Sequence, residues 1–334
     1  MTRRVRVFVA GAAVVCIALF ASPVAATTTP SPRALPGSRC TVFPANNYWH
    51  ADVSRLPVNR MSATWLNSIG AGPGSTMHIH PDFGSSGDRK NPYGIPYAVE
   101  SGKAKVRVTF DYADESDKGP YPMWPTMPVE GGLGSGGDMH ALVVDAKTCT
   151  LYEVYNTRYD ARRKVWSAGS GAIWKLTSNA LRPNTWTSAD AAGLPILPGL
   201  LRWDEVKAGH VDHAIRFTVP QTFGTPIWPA RHRADTGSGP QYPPMGARFR
   251  LKANFPISSY GPQTQTVLKA MKKYGLVLAD NGSAFFFQGA ASNSWPDQLI
   301  ADLKSIPANA FEAVDTLPMR VSANSAQVKA AYVR

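Results

Sequence analysis

Five short runs constrain the fold most. Residues 105–112 (KVRVTFDY), 140–145 (HALVVD), 150–155 (TLYEVY), 213–219 (HAIRFTV) and 248–255 (RFRLKANF) alternate in period two and are bounded by Gly, Pro or Asp. Side chains of an extended backbone point alternately to opposite faces, so each run reads as a half-buried strand. In the last run Arg248, Arg250 and Lys252 share one face, which is expected to be a solvated basic stripe. Helical signals are fewer. Residues 263–274 place Val267, Met271 and Tyr274 on one stripe with Gly275 as the stop, 296–305 opens at Pro296, and a shorter helix covers 200–208. Asp280-Asn281-Gly282 between residues 276–279 and 284–287 reads as a hairpin turn.

With 28 Gly and 28 Pro among 334 residues, turns are plentiful enough for many short strands. The expected fold is mainly β: a β-sandwich or jelly-roll-like architecture with a few peripheral helices (α+β). A Rossmann or TIM arrangement is disfavoured, because strands and helices do not alternate and no Gly-rich loop opens a helix after a strand.

Residues 1–26 have the form of an export signal. Arg3, Arg4 and Arg6 precede an apolar stretch that ends in Pro23, and Val24 and Ala26 suit the −3 and −1 positions of a cleavage site. Cleavage after Ala26 would discard three cations and Cys16, leaving a secreted chain with no stable membrane anchor. Residues 27–38 read as a Thr/Pro/Ser linker, and 39–334 as one β-rich domain. The remaining cysteines, Cys40 and Cys149, are natural disulfide partners in an oxidising compartment. The formal charge of +12 falls to +9 once the three signal arginines are subtracted. That excess is a weak indication of an anionic partner such as an acidic glycan, while no nucleic-acid-binding motif is present.

The stretch Phe43-Pro44-Ala45-Asn46-Asn47-Tyr48-Trp49, with His80-Pro81-Asp82-Phe83-Gly84 and Ala279-Asp280-Asn281-Gly282, resembles a family of exported bacterial proteins to which no activity is attached. The likeness extends through residues 187–193, 229–232 and 243–246. His50 stands where an asparagine is more usual. The resemblance implies one whole-length domain and nothing about chemistry.

Candidate chemistry gathers in loops. His78, His80 and Asp82 would share one face of an extended segment and could hold a divalent metal, although no glutamate or distal histidine completes a cupin-type set. A turn lined by these side chains without a metal is the alternative. Asp138 and His140 leave a glycine loop at same-face spacing, which suits a carboxylate that orients a general base; the alternative has Asp138 closing the turn and His140 packing on the sheet. His210-Val211-Asp212-His213 is a second cluster, read as structural. Arg231 and His232 combine a guanidinium for a carboxylate with an imidazole for a proton; the plainer alternative has Arg231 holding loop carbonyls. Glu130 ends a Pro/aromatic loop and, with Asp138, is one of the acids that could flank a glycosidic bond. Asp190 and Asp280 also stand in distinctive settings, with Asp280 read most simply as a turn residue. Trp49, Trp124 and Trp228 lie beside prolines or polar residues and could be platforms for sugar rings. No Gly-x-Ser-x-Gly is present, which disfavours a serine esterase.

These residues point to a carbohydrate-active protein that cleaves an extracellular polysaccharide or cell-envelope glycan, as a glycoside hydrolase or polysaccharide lyase. The catalytic candidates are His140, Asp138, Glu130, Arg231 and His232. A non-catalytic lectin, or a metal-dependent hydrolase centred on His78 and His80, are the alternatives.

Overall fold

The computed structural model describes residues 32–85, 89–234 and 236–333, with Met1, Thr2 and Val5. The rest of the export signal, its cleavage position and the first five linker residues lie outside them. Among the described residues the strands are β1 His80–Asp82, β2 Tyr97–Glu100, β3 Val108–Phe110, β4 Ala141–Asp145, β5 Thr150–Tyr155, β6 Arg158–Asp160, β7 Val165–Ala168, β8 Ser170–Lys175, β9 Ile215–Val219, β10 Arg248–Leu251, β11 Leu276–Asn281, β12 Phe286–Gln288 and β13 Phe311–Val314. The helices are α1 Ser62–Ile69, α2 Trp203–Lys207, α3 Pro262–Lys273 and α4 Asp297–Lys304. The fold is mainly β, α+β, as the alternating runs imply. None of the described helices is long and apolar enough to cross a membrane.

Three sheets carry the structure. The largest has the order β1-β12-β9-β11-β10-β13, a second runs β2-β4-β5-β8, and a third β3-β7-β6. All three are mixed, each containing at least one parallel pair. In the second sheet, Leu142, Val144 and Leu151 face the main core while Ala141, Val143, Tyr152 and Val154 face a smaller one. Both sides of β4 and β5 are therefore covered, and a polar residue on either strand must find partners inside the protein.

α3 begins with Pro262 at its first turn, where no N–H is needed, and ends in Lys272 and Lys273, which complement the carbonyl end. Gly275 follows with φ +72°, and a Cβ there would lie 2.2 Å from the Phe249 carbonyl oxygen, so the stop requires glycine. Cys40 and Cys149 form a disulfide with an S–S distance of 2.02 Å, tying the start of the folded chain to the β4–β5 turn.

Two expectations are corrected. Residues 276–279 and 284–287 do not form a hairpin: β9 lies between β11 and β12, parallel to the first and antiparallel to the second. A tight turn would leave Asp280 and Asn281 at a solvent tip. Instead Asp280 lies 3.5 Å from Arg216, and the Asn281 amide donates to the Val219 carbonyl and to the hydroxyl of Thr236. The basic face of β10 is not solvated either. Arg248 is fully buried, donating to the carbonyls of Tyr274, Tyr48 and Ala51, with its guanidinium 4.5 Å from the Tyr48 ring centre. Arg250 binds Glu312 and the carbonyls of Val53 and Leu56, and Lys252 donates to Asn309. The segment over residues 47–56 covers this face, and its carbonyls at Tyr48, Ala51, Val53 and Leu56 accept from Arg248 and Arg250.

Candidate functional site

A cleft with two arms opens where the first two sheets meet. The larger arm, about 400 Å³, is lined by Glu115, Asp138, Tyr155, Asp190, His232 and Asp280 among others. The smaller, about 280 Å³, is lined by Asp82, Tyr93, Glu130, Asp138, Asp280 and Gln288 among others. Asp138, Asp280 and Asn281 belong to both, so they form the junction.

The polar centre is built on β9 and β11. Arg216, on β9, makes a two-pronged contact with Asp190, at 3.1 and 2.9 Å, and lies 3.5 Å from Asp280. That fork geometry is what a planar guanidinium offers a carboxylate. Asp190 is held in a loop whose Ser188 hydroxyl accepts from the Asp190 N–H. Asp280 is reached at an irregularity in β11, where the pairing with β9 slips between Leu278 and Asp280. Such a bulge re-aims a side chain, here toward the cleft. Burial pushes the Asp280 carboxyl up to about 7, reinforced by the neighbouring Asp190 and opposed by Arg216. Its side chain still keeps a quarter of its surface accessible. An accessible carboxyl that is protonated near neutral pH can donate a proton to a bound molecule.

His140 is buried directly below the junction. Its Nδ1 lies 2.6 Å from Glu130 Oε2 and its Nε2 lies 3.1 Å from the Ala189 carbonyl oxygen. Both partners accept only, so both nitrogens donate and the ring is an imidazolium. Burial opposes that charge, but the Glu130 carboxylate overcomes it and raises the ring to about 9. Glu130, in turn, is held below the ordinary carboxylate range although burial alone would raise it. Next to this pair, Glu153 on β5 is completely buried and accepts from the N–H groups of Ile196 and Leu197 and from the Trp174 indole. Burial raises it to about 7 against those three donors.

This geometry sorts the sequence candidates. Glu130, Asp138 and His232 line the cleft, and His140 contributes to its wall. His140 is not a free general base, since both nitrogens are occupied by acceptors. Nor does Asp138 orient it. Met139 has φ +47°, which breaks the extended run and leaves Asp138 exposed while His140 turns inward to Glu130. Arg231 follows the plainer reading: it donates to the carbonyls of Arg182 and Ala323 and to the side chain of Asn324, so it has no role in neutralising a substrate. His232 donates through Nδ1 to the Ala191 carbonyl, leaving Nε2 3.6 Å from Glu115 at the rim of the larger arm.

The tryptophan platforms are corrected. Trp49 is core, Trp228 is buried with its indole N–H on the Ser325 carbonyl, and Trp124 lies against the smaller core with Lys103 over its ring, outside the cleft. His78, His80 and Asp82 do share one face of a segment whose Ile79, Pro81 and Phe83 point inward. They do not converge: His80 stacks on Phe286 and Asp82 takes hydrogen bonds from Tyr93 and Gln288. Among the described residues, no group of three His, Cys, Asp or Glu could hold a metal ion. His213 is structural, its ring bonded to the Ala214 carbonyl and Glu205.

Arg216, Glu153 and Gln288 were not singled out in the sequence, and Asp190 and Asp280 were named only as acids in distinctive settings, outside the catalytic set. Asp190 and Asp280 lie in stretches that carry the family resemblance, which is the one signal that could have joined them. Comparison with family models, with curated proteins and with solved structures found no match.

Proposed function

We propose that the protein is an exported glycan-cleaving enzyme, a glycoside hydrolase working at the junction of the two arms. The observation that carries this reading is Asp280, an accessible carboxyl raised to about 7 that lines both arms together with the exposed Asp138. In the reaction, the Asp280 carboxyl gives its proton to the glycosidic oxygen as the bond from the anomeric carbon to that oxygen breaks. Asp138 takes a proton from the water whose oxygen bonds to the anomeric carbon. The products are two sugar chains, one with a new reducing end, and the proton returns from Asp138 to Asp280 through solvent. Arms on both sides of the junction leave room for sugar on both sides of the bond. The disulfide points to an oxidising environment, which agrees with export from the basic, apolar N-terminus. A hydrolase is favoured over a lyase because Arg231, the cation that would neutralise a uronate, is spent on loop carbonyls.

The test is incubation with neutral, amino-sugar and uronate polysaccharides, reading reducing ends and the absorbance of unsaturated uronate. Expected are new reducing ends without the double bond, a rate that falls as pH rises through about 7, and a loss of about 10²–10⁴-fold in Asp280→Asn. Retention without cleavage would favour a lectin, and a C4–C5 double bond a lyase; either would overturn the reading.

A further inference from the structure

The smaller arm has a surplus of hydrogen-bond acceptors. Asp82, Glu130 and Asp138 present carboxylates to it, and the Asn281 Oδ1 and Gln288 Oε1 atoms on its wall have no hydrogen-bond partner among the described residues. Gln288 is 4% exposed, so this oxygen is not satisfied by bulk water. Neither amide is turned the wrong way. Gln288 Nε2 donates to Asp82 Oδ2 at 3.3 Å and Asn281 Nδ2 donates to the Val219 carbonyl, both partners that only accept, so the oxygens are left over.

The nearby donors are already committed. Tyr93 donates to Asp82, both nitrogens of His140 are used, Arg216 faces Asp190 and Asp280, and the Thr218 hydroxyl donates to the Ser283 carbonyl. A buried acceptor without a donor is destabilising, and an occupant rich in donors would relieve that cost. A hard cation would be one such occupant, but the acids do not converge closely enough to hold one among the described residues. A molecule that spreads its donors across several ångströms suits the arm better.

We infer that the smaller arm binds an amino sugar whose nitrogen is not acetylated. Its ammonium group lies against the Asp82 carboxylate, and its ring hydroxyls donate to the other acceptors that line the arm, Gln288 Oε1 and Asn281 Oδ1 among them. The inference rests on the glycan-cleaving reading of the same cleft and deepens it by naming the substrate class. It replaces the acidic glycan expected from the overall charge: the surplus cations include Arg248, Arg250 and Lys252, which are spent on carbonyls and Glu312 away from the cleft, while the arm itself is acidic.

The experiment compares binding of the intact protein to a glucosamine oligomer, its fully N-acetylated counterpart, a uronate oligomer and a lysine oligomer, with cleavage followed in parallel. Expected is tighter binding of the glucosamine oligomer by about tenfold over the acetylated one, equivalent to about 1.4 kcal/mol. Asp82→Asn should erode that preference, and Gln288→Met should weaken binding of both oligomers alike, each variant melting with the native cooperativity. Equal binding of acetylated and free amines, preference for uronate, or equal binding of the lysine oligomer would overturn the inference. Two mixed results separate it from the catalytic reading. Selective binding of the glucosamine oligomer with no cleavage leaves this inference standing and removes the hydrolase. Cleavage of neutral or acetylated glycans without preference does the reverse.

Discussion

Two buried arginines on the large sheet have opposite surroundings. Arg248 on β10 is satisfied by three backbone carbonyls and the face of Tyr48. Arg216 on β9, separated from it by β11, is satisfied by two carboxyl groups, one of which opens into the cleft. A guanidinium among neutral carbonyls fixes chain against chain and has no partner that titrates in the working range. A guanidinium between carboxyls couples the fold to protons, because each neighbour can gain or lose one. The first arrangement is structural; the second can serve chemistry.

The largest effect that sharpens this contrast comes from the chain covering Arg248. Cys40 lies just before residues 47–56, and its disulfide closes a sequence separation of 109. Replacing both cysteines by serine should cost about 4–5 kcal/mol in the chain-entropy model. Hydrogen exchange should show the loss as early opening of residues 47–56 ahead of β9. Uniform opening of both regions would erase the distinction.

Next come the arginines themselves. Arg248→Met removes a donor from three carbonyls, of which Tyr48 keeps the Ala51 N–H, and should destabilise by roughly 3–5 kcal/mol, nearly independent of pH between 4 and 8. Arg216→Met strips the partner from Asp190, whose burial already raises it. The folded state then prefers Asp190 protonated, so stability is retained below the unfolded carboxylate range and lost as pH rises. A loss of comparable size is expected at pH 8, shrinking toward pH 4. Urea midpoints across that range decide it, and parallel pH profiles for the two variants would break the comparison.

How much of this was legible in the sequence differs between the two regions. The alternation of β10 correctly gave a face carrying Arg248, Arg250 and Lys252. It could not say what covers that face, because Tyr48 and Ala51 lie about 200 residues away in sequence and no local pattern records such a contact. At the cleft, the acids Glu130, Asp138 and Asp280 were visible as residues in distinctive settings. Their partners were not. The Asp138–His140 reading assumed an extended backbone, and the left-handed Met139 reversed it. The Asp280 turn reading assumed local pairing, whereas β9 comes in from 60 residues earlier to separate the strands. Period-two patterns survive because each strand must bury one face; ion pairs across sheets are set by tertiary packing alone.

The pH dependence of the wild type gives a further test. Asp280 and Glu153 are raised to about 7 and His140 to about 9. All three hold protons in the folded state that the unfolded chain releases at lower pH. Their contribution is therefore fully present below their unfolded values, and it is lost as pH rises through the folded ones. The two carboxyls act from about pH 4 to 7 and His140 from about 6.5 to 9. Glu130 has the opposite sign, contributing stability above its unfolded value and losing it as pH falls through its lowered folded one. His140→Gln should cost about 2–4 kcal/mol near pH 6 and flatten the segment above neutrality. If the slope between pH 7 and 9 survives this substitution, another group supplies it.

Asp280→Asn should have the smallest effect on stability and the greatest diagnostic value. Asparagine matches the shape of a protonated carboxyl, so below about pH 4, where the carboxyl is protonated in both the folded and the unfolded chain, the variant should melt within about 0.5 kcal/mol of the parent. Above pH 7 the parent must either ionise Asp280 beside Asp190 or keep it protonated against solution. The variant escapes that choice and should become the more stable of the two at pH 8. Stability gained where cleavage is lost is the pattern expected of a group held in a costly state for chemistry. A variant less stable at pH 8 would instead make Asp280 a structural partner of Arg216, and the two arginines would then differ only in what they hold together.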